Sequence, residues 1–264
     1  MTSRTPVVAL TIAGSDSGGG AGIQADLKSF ARFGVFGTSA ITAITAQNTV
    51  GVRAWERVAP ALVRQQIDAV AEDLRPAAIK SGMIGDAEVV RAVAEGIAAH
   101  GLGPYVLDPV MAATSGDPLL TPDAVAAIVK SLFPLATLVT PNLDEVAMLL
   151  GERVTDVAGM ERAARALVQR MGARTALVKG GHLAGDQIVD VFFDGAEVRR
   201  FAHARIATTS THGTGCTLSA AIAASLALGD PLETAVERGL DYVTRAIASA
   251  PALGSGHGPL NHFA

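Results

Sequence analysis

The 264-residue sequence contains one cysteine, few aromatic residues and no excess of positive charge. Because Cys216 is the only cysteine, an internal disulfide and a cysteine-based zinc site are both excluded, and we expect a cytoplasmic protein. Aromatic residues make up 4% of the chain and the formal net charge is −4, which argues against nucleic acid or an acidic membrane as a partner. Charges and prolines interrupt the alanine-rich segments, so none is suited to cross a bilayer.

Short aliphatic runs alternate with helical patterns, which is typical of parallel βαβ units. Buried strands are predicted at Val7–Ile12, Ser39–Ile44, Ala78–Lys80, Tyr105–Leu107, Leu138–Thr140 and Thr175–Val178. Helices are predicted at Pro60–Leu74, Asp86–His100, Thr217–Leu228 and Pro231–Ala248, with a further helix face at Ile23, Leu27 and Phe30. Since no linker or repeat divides the chain, we expect residues 1–264 to form one α/β domain with a mostly parallel sheet.

Two segments depart from this alternation. Ile188–Phe193 and Glu197–Phe201 flank Asp194-Gly195, a turn signal that predicts a hairpin and a small antiparallel edge. Thr49–Val58 has little helical pattern, and we interpret it as a short flap over a site.

Polar residues follow four of the predicted strands directly. They are Asp16, Asp108, Asn142 and Lys179. Ligands of open parallel sheets bind at the carboxyl ends of the strands. We therefore expect these four side chains to converge on one crevice.

The glycine-rich segment Ala13–Asp26 joins the first strand to a helix. Gly20–Ala25 fits a dinucleotide-binding fingerprint, but Leu27–Trp55 contains no Asp or Glu to bind the ribose. A nicotinamide-dependent oxidoreductase is therefore disfavoured. Two interpretations stay open: a tight turn with Asp26 in the first helical turn, or a loop that closes on a small ring-shaped substrate.

The run Thr209–Ser219 (TSTHGTGCTLS) leads from a glycine turn into a helix. Unpaired backbone N–H groups and the helix dipole favour an anion there, although a simple helix cap uses the same residue types. No P-loop sequence is present, so a nucleotide phosphate needs another site such as this one. Lys179, on a glycine turn, suits the charge that builds on a transferring phosphoryl group.

Asn142 and Glu145 have the spacing of a helix capping box. The same oxygen atoms, together with Asp108, suit hydrated Mg²⁺, which binds one or two carboxylates plus waters and phosphates. The six histidines lack the spacing of a zinc site, and His212 is interpreted as a residue that binds backbone in its turn.

Nine motifs give the chain an end-to-end resemblance to the ribokinase-like superfamily, and within it to the hydroxymethylpyrimidine/phosphomethylpyrimidine kinase family of thiamine biosynthesis. They are Ala9–Phe30, Ile41–Thr49, Lys80–Gly85, Leu107–Met111, Ser115–Leu120, Val139–Glu145, Val178–His182, Thr211–Ala221 and Gly258–Phe263. The resemblance implies a three-layer αβα fold, a homodimer, and an ATP- and Mg²⁺-dependent kinase. Its acceptors would be 4-amino-5-hydroxymethyl-2-methylpyrimidine and then the monophosphate of that compound.

The resemblance also implies roles for individual residues. The pyrimidine pocket would comprise Gly14, Ala21, Asp26, Gln47, Met83 and Val110. Catalysis would involve Asp26, Lys179, Gly213, Gly215 and Cys216, the last three as an anion hole. ATP would contact Asn142, Lys179, Thr211, Thr214 and Gly215, and the metal would contact Asp108 and Glu145. The amide of Gln47, with both a donor and an acceptor, suits an aminopyrimidine edge.

Three positions raise questions about mechanism. Cys216 stands where many related kinases have an aspartate base, and we expect it to act through the anion hole and at most as a proton relay. Thr114 replaces a lysine that many relatives carry, and Ser17-Gly18 replaces a Pro-Ser pair, which we interpret as a change in loop stiffness. The alternatives are a pyridoxal kinase of the same subgroup and a non-catalytic pyrimidine-binding protein.

Overall fold

The computed structural model describes residues 5–111 and 120–264, so Thr114 and most of the Ser115–Leu120 motif lie outside the described residues. The described part forms one nine-stranded sheet in the order β3-β2-β1-β4-β5-β6-β7-β8-β9. The strands are β1 (Val8–Ser15), β2 (Phe36–Asn48), β3 (Gly51–Arg57), β4 (Ala78–Ser81), β5 (Tyr105–Leu107), β6 (Leu138–Val139), β7 (Ala176–Val178), β8 (Gln187–Phe193) and β9 (Val198–Ala204). Strands β2, β1, β4, β5, β6 and β7 run parallel, and β3, β8 and β9 pair antiparallel.

Helices cover both faces of the sheet, as the hydrophobic character of its central strands requires. They are α1 (Gly22–Arg32), α2 (Pro60–Asp73), α3 (Ala87–His100), α4 (Pro122–Ser131), α5 (Leu143–Leu150), α6 (Val157–Gln169), α7 (Thr214–Ala227) and α8 (Leu232–Ala248). One hydrophobic core packs α2 to α6 on one face, and a second core packs α1, α7 and α8 on the other. The predicted three-layer αβα fold is therefore confirmed.

Three of the eight described helices begin with a side-chain cap. Asp86 precedes α3 and accepts hydrogen bonds from the backbone N–H groups of Glu88 and Val89, and Gly101 ends this helix in the left-handed conformation. Asn142 and Asp156 cap α5 and α6 in the same way, whereas the other five helices of the described part begin without a side-chain cap.

The predicted strands and the antiparallel hairpin are present, with one difference at the opposite edge. The interpretation of Thr49–Val58 as a flap needs correction, because Gly51–Arg57 is strand β3, paired antiparallel with a β2 that continues to Asn48. Most residues of β3 are exposed, so the strand is held by its backbone pairing with β2 and not by a buried face. Val52 and Trp55 nevertheless line the cavity described below.

The chain passes from β1 to β2 on one side and then crosses to β4 on the other side of β1. A reversal of this kind opens a crevice at the carboxyl ends of the strands. The site lies there.

Candidate active site

A cavity of about 860 Å³ lies over the carboxyl ends of the parallel strands. Its volume is in the range of pockets for small organic ligands, roughly 300–1,000 Å³. It is lined by the four strand-end residues Asp16, Asp108, Asn142 and Lys179. It is also lined by Gly14, Ala21, Gln47, Met83, Val110, Glu145, Thr211, Gly213, Thr214, Gly215 and Cys216. The fold therefore brings these residues, predicted from distant parts of the sequence, into one site.

Asp108 and Lys179 form an ion pair in the middle of the cavity wall. The Nζ of Lys179 lies 2.9 Å from the Oδ1 of Asp108, which also accepts from the Oγ1 of Thr140 at 3.1 Å. The side chain of Asp108 is 2% exposed and that of Lys179 is 15% exposed. Although burial opposes the charge of Lys179, Asp108 and then Glu145 raise the pKa of its amine, so the cation persists at neutral pH.

Glu145 is both a cap and a buried acid. Its carboxylate accepts from the backbone N–H of Asn142 at 2.7 Å, and its own N–H donates to the Oδ1 of Asn142 at 2.9 Å, so the predicted capping box is formed. Burial raises the pKa of Glu145 to about 7, with Lys179 opposing the shift and Asp108 adding to it.

Two positions at the start of α7, Gly213 and Gly215, leave little room for a side chain, and the reason differs between them. Gly213 caps the helix with φ +84°, and a Cβ there would meet the carbonyl oxygen of Gly20 at 1.9 Å, so the two glycine loops are in contact. A Cβ on Gly215 would lie 3.0 Å from the Nζ of Lys179 and 3.4 Å from the Oδ2 of Asp108. The first helical turn, whose N–H groups lack intrahelical acceptors, thus packs directly against the ion pair.

Cys216 occupies this first turn and is half-buried. Burial raises the pKa of its thiol to about 11; Lys80 opposes the shift, whereas Asp26 and Asp108 add to it. A thiol with this pKa stays protonated at neutral pH, so it cannot supply a thiolate base.

Asp26 differs from the other predicted site residues because it does not line the cavity. Its side chain is completely buried, its two oxygens lie 2.8 and 2.9 Å from the Nζ of Lys80, and it accepts from the Oγ1 of Thr11 at 2.6 Å. The expectation that Asp26 contacts substrate is therefore corrected: in this structure it ties α1 to β1 and β4 beneath the cavity, on the same side as Cys216.

His212 and Ser17 have roles that the sequence analysis missed. The Nε2 of His212 lies 2.8 Å from the Oδ2 of Asp16, and that carboxylate also accepts from the N–H groups of Gly18, Gly20 and Ala21. His212 therefore joins the two glycine loops with its ring, while its backbone N–H donates to the carbonyl of Gly258 at 3.1 Å.

Ser17 binds the backbone of Gln47, the residue predicted to bind the pyrimidine edge of the substrate. Its hydroxyl donates to the carbonyl of Gln47 at 2.7 Å and accepts from the N–H of Gln47 at 2.8 Å. The departure at Ser17-Gly18 therefore creates a specific contact, beyond the change in stiffness that we expected. The only sequence signal for this contact was the hydroxyl of Ser17 next to Gly18, in place of the Pro-Ser pair of many relatives.

Two carboxylates, Asp108 and Glu145, face the cavity with the oxygen atoms that Mg²⁺ prefers. Within residues 5–111 and 120–264, no group of three or more His, Cys, Asp or Glu side chains could hold a metal by itself. This donor set fits Mg²⁺ that arrives with a nucleotide, because such an ion completes its shell with phosphates and waters. No helix in the described part of the chain is long and apolar enough to cross a membrane.

A three-layer α/β fold whose switch-point crevice combines a glycine turn at a helix N-terminus, a largely buried lysine and two carboxylates indicates a phosphotransferase of the ribokinase-like class. The family model described as phosphomethylpyrimidine kinase matches residues 16–261. The hydroxymethylpyrimidine/phosphomethylpyrimidine kinase of Rhizobium meliloti is 54% identical over 259 residues, which are 97% of each chain. The chain therefore belongs to the phosphomethylpyrimidine kinase family, as the resemblance predicted.

Solved structures agree with this assignment. The phosphomethylpyrimidine kinase of Clostridium difficile is similar with a TM-score of 0.81 and 41% identity, over 91% of this chain and 99% of that chain. The pyridoxal kinase of Staphylococcus aureus, solved in complex with AMP-PCP and pyridoxal, has a TM-score of 0.90 and 32% identity, over 99% and 95% of the two chains. Kinases for two different acceptors thus share this fold. The acceptor of this protein therefore has to be inferred from its site.

Proposed function

We propose that this protein transfers the γ-phosphoryl group of ATP to the hydroxymethyl group of 4-amino-5-hydroxymethyl-2-methylpyrimidine and then to the resulting monophosphate. The observation that carries the proposal is the position of Gly215. It places the first turn of α7 against the Lys179–Asp108 pair, so backbone N–H groups and a cation face the same phosphate position.

The acceptor is assigned to the side of the cavity formed by the first glycine loop. Met83 packs closely on Gly14 there, with its Sδ 3.2 Å from where a Cβ of Gly14 would lie, and the two residues give this end of the cavity an apolar wall that suits a flat ring. The amide of Gln47 borders the same space and offers a donor and an acceptor to the amino group and ring nitrogen of the pyrimidine. Ala21 and Val110 complete this side.

The donor is assigned to the opposite side, beyond the turn Thr211–Gly215. Apolar side chains of the β9–α7 loop and of α8, including Ile206, Val243 and Ile247, line this end of the cavity and suit an adenine ring. The S. aureus relative, solved with an ATP analogue, supports ATP as the donor. Asn142, Thr211 and Thr214 are placed to contact its phosphates.

Mg²⁺ would be held by Asp108 and Glu145 and would neutralise charge on the nucleotide phosphates. The residues of this chain position the reactants and neutralise charge on the transferred phosphoryl group. Lys179 and the α7 turn hold the phosphoryl group in line with the acceptor hydroxyl. Because the thiol of Cys216 stays protonated, it donates towards the anion and removes no proton. The hydroxyl proton leaves late, to a phosphate oxygen or water, as a loose transition state permits.

Product analysis by mass tests this proposal. Purified protein is incubated with ATP, Mg²⁺ and the hydroxymethylpyrimidine, and Lys179→Ala serves as the inactive control. Monophosphate that appears first and diphosphate that follows would support both steps, whereas monophosphate alone would restrict the function to the first step. A much higher kcat/KM for pyridoxal would replace this function by the alternative, pyridoxal kinase.

We also propose, from the resemblance, that the protein is a homodimer in the cytoplasm. Light scattering on the eluted peak of a sizing column measures the subunit number, and a mass near one chain would refute the dimer.

A further inference from the structure

An irregular segment, residues 254–264, follows α8 and contacts three loops around the cavity; we refer to it as the post-α8 segment. Its second half is anchored in the fold. Leu260 is buried in the core that packs α1, α7 and α8, and the carbonyl of His262 accepts from the hydroxyl of Tyr242 on α8 at 2.9 Å. The segment therefore has a fixed position from which it can hold other elements.

The first contact of the post-α8 segment is with Thr49, in the turn between β2 and β3. The N–H of His257 donates to the carbonyl of Thr49 at 2.9 Å, and the N–H of Gly256 lies 3.4 Å from the Oγ1 of Thr49. The approach leaves no room for a side chain, because a Cβ on Gly256 would lie 2.1 Å from that carbonyl oxygen. The turn and the segment are thus in direct backbone contact, so a shift of one would move the other.

The second contact is with the two glycine loops. The N–H of His212 donates to the carbonyl of Gly258 at 3.1 Å, and His212 forms a parallel β-bridge with Pro259. Pro259 and the ring of His212 also close over Gly20 in the first glycine loop, where a Cβ would lie 3.0 Å from the Cβ of Pro259. The post-α8 segment therefore connects the β2–β3 turn with both glycine loops.

The β2–β3 hairpin depends on such a connection because β3 lies at the edge of the sheet. Its neighbour in the sheet is β2, and most of its residues are exposed. Gln47 on β2 and Val52 and Trp55 on β3 nevertheless line the cavity. A strand with few buried contacts opens easily in solution, so the wall that it forms needs a contact at the end of the hairpin.

We propose that the post-α8 segment is a positioning element of the kinase site, which holds the β2–β3 hairpin against the two glycine loops through its contact with Thr49. Loss of this contact would loosen the wall on the acceptor side. It would leave the phosphate and metal groups in place, because Asp108, Glu145 and Lys179 lie after β5, in α5 and after β7. The expected effect on acceptor binding rests on the proposed function, whereas the effect on the hairpin does not.

The experiment compares Gly256→Ala with Gly51→Ala in the full chain. Neither glycine has φ in the left-handed range, and Gly51 lies in the same turn as Thr49, where an added Cβ would meet no described atom within 4 Å. The added methyl group should therefore displace the turn at position 256 and be harmless at position 51. A second pair is His257→Pro, which removes only the N–H that donates to Thr49, and His257→Ala, which keeps this N–H.

Hydrogen exchange measured by mass spectrometry reports on the hairpin without any substrate. We expect the amides of β3 to exchange about fivefold faster or more in Gly256→Ala and in His257→Pro, the effect of one lost backbone hydrogen bond. The two controls should exchange no faster than the wild type. Exchange at the wild-type rate in both test variants would overturn the inference. In the wild type, the amide of His257 should exchange much more slowly than that of the exposed Ser255, and equal rates would refute the contact even if neither variant folds.

Initial rates then separate positioning from a merely structural role. We expect Gly256→Ala to raise KM for the acceptor about fivefold or more and to change KM for ATP less than about twofold, because the nucleotide side of the cavity does not include the hairpin. Equal changes in both KM values, or an unchanged acceptor KM, would overturn the positioning role. If the wild type phosphorylates another acceptor, the proposed function fails, but the exchange result still decides whether the segment holds the hairpin.

Discussion

Two lysine–aspartate pairs serve the same side of the sheet in different ways. Lys80 and Asp26 are both 0% exposed and bind each other beneath the cavity, with Thr11 as a third partner. Lys179 and Asp108 make the same contact at 2.9 Å but lie on the cavity wall, where the lysine is 15% exposed. The two pairs have the same chemistry and differ in their access to the cavity, so we expect a structural role for Lys80 and Asp26 and a catalytic role for Lys179 and Asp108.

Cys216 lies near both pairs: burial raises the pKa of its thiol, Lys80 opposes that shift, and Asp26 and Asp108 add to it. Lys80 and Asp26, the inner pair, are shielded from solvent, so water cannot replace a partner that is removed. We therefore expect the loss of either residue to affect folding. The outer pair, Lys179 and Asp108, lines the cavity, so we expect its loss to affect turnover. Four predictions test this division.

Breaking the inner pair should have the largest effect. Lys80→Met leaves the carboxylate of Asp26 buried without its cation, which typically costs about 3–5 kcal/mol of unfolding free energy. Urea unfolding measures this loss, and Lys130→Met, on the exposed face of α4, is the matched control. Adding Asp26→Asn removes the second charge and should restore part of the stability. If Lys80→Met unfolded at the same urea concentration as the control, the inner pair would not be structural.

Breaking the outer pair should instead reduce catalysis. We expect Lys179→Met to lower kcat about 10²- to 10³-fold, as for the loss of one group that stabilises a developing anion. Unfolding free energy should fall less than in Lys80→Met, because the cavity opens onto Lys179 and lets water approach the carboxylate of Asp108 that the lysine leaves behind. Steady-state rates and urea unfolding of one preparation provide both numbers. A stability loss as large as that of Lys80→Met would contradict the division.

Glu145 sharpens the comparison through pH. Burial raises its pKa from 4.5 to about 7, so the folded protein binds a proton in this range that the unfolded chain releases. The stability from this group is present at acid pH and is lost as pH rises through 7, by at most about 1.4 kcal/mol per pH unit. Melting temperatures from pH 5.5 to 8 should fall more steeply for the wild type than for Glu145→Gln, which cannot titrate there. Parallel slopes would refute the raised pKa.

The smallest effect is expected at Cys216. Because its thiol is already protonated at neutral pH, Cys216→Ser keeps a donor at the same place and should lower kcat less than about tenfold. The variant should retain the wild-type KM for ATP. Complete loss of turnover in a folded, ATP-binding variant would show that the thiol removes the proton, against our proposal.

Much of the site was predictable from local signals. Strand-end residues such as Asp108 and Lys179 follow short runs of aliphatic residues, and the glycine turn before α7 predicts a helix N-terminus. These signals are local because hydrophobic periodicity and turn chemistry act over a few residues. For this reason the central strands were predicted close to their observed bounds.

The misses share a different cause. Strand β3 has no buried face, so Gly51–Arg57 carries no alternating pattern, and its pairing with β2 makes it a strand. The burial of Asp26 depends on Lys80, 54 residues away, and the contact of Gln47 with His212 spans 165 residues. A single sequence contains no signal for such pairs.

The sequence by itself determined the α/β class, the glycine turn that opens α7 and the set of polar residues at the strand ends, because each depends on neighbours along the chain. Only the tertiary structure decided which lysine faces the cavity, which aspartate is sealed beneath it and which carboxylate the ring of His212 contacts. Those assignments depend on burial and on donor–acceptor matching between strands, helices and loops, and these exist only after the layers have packed.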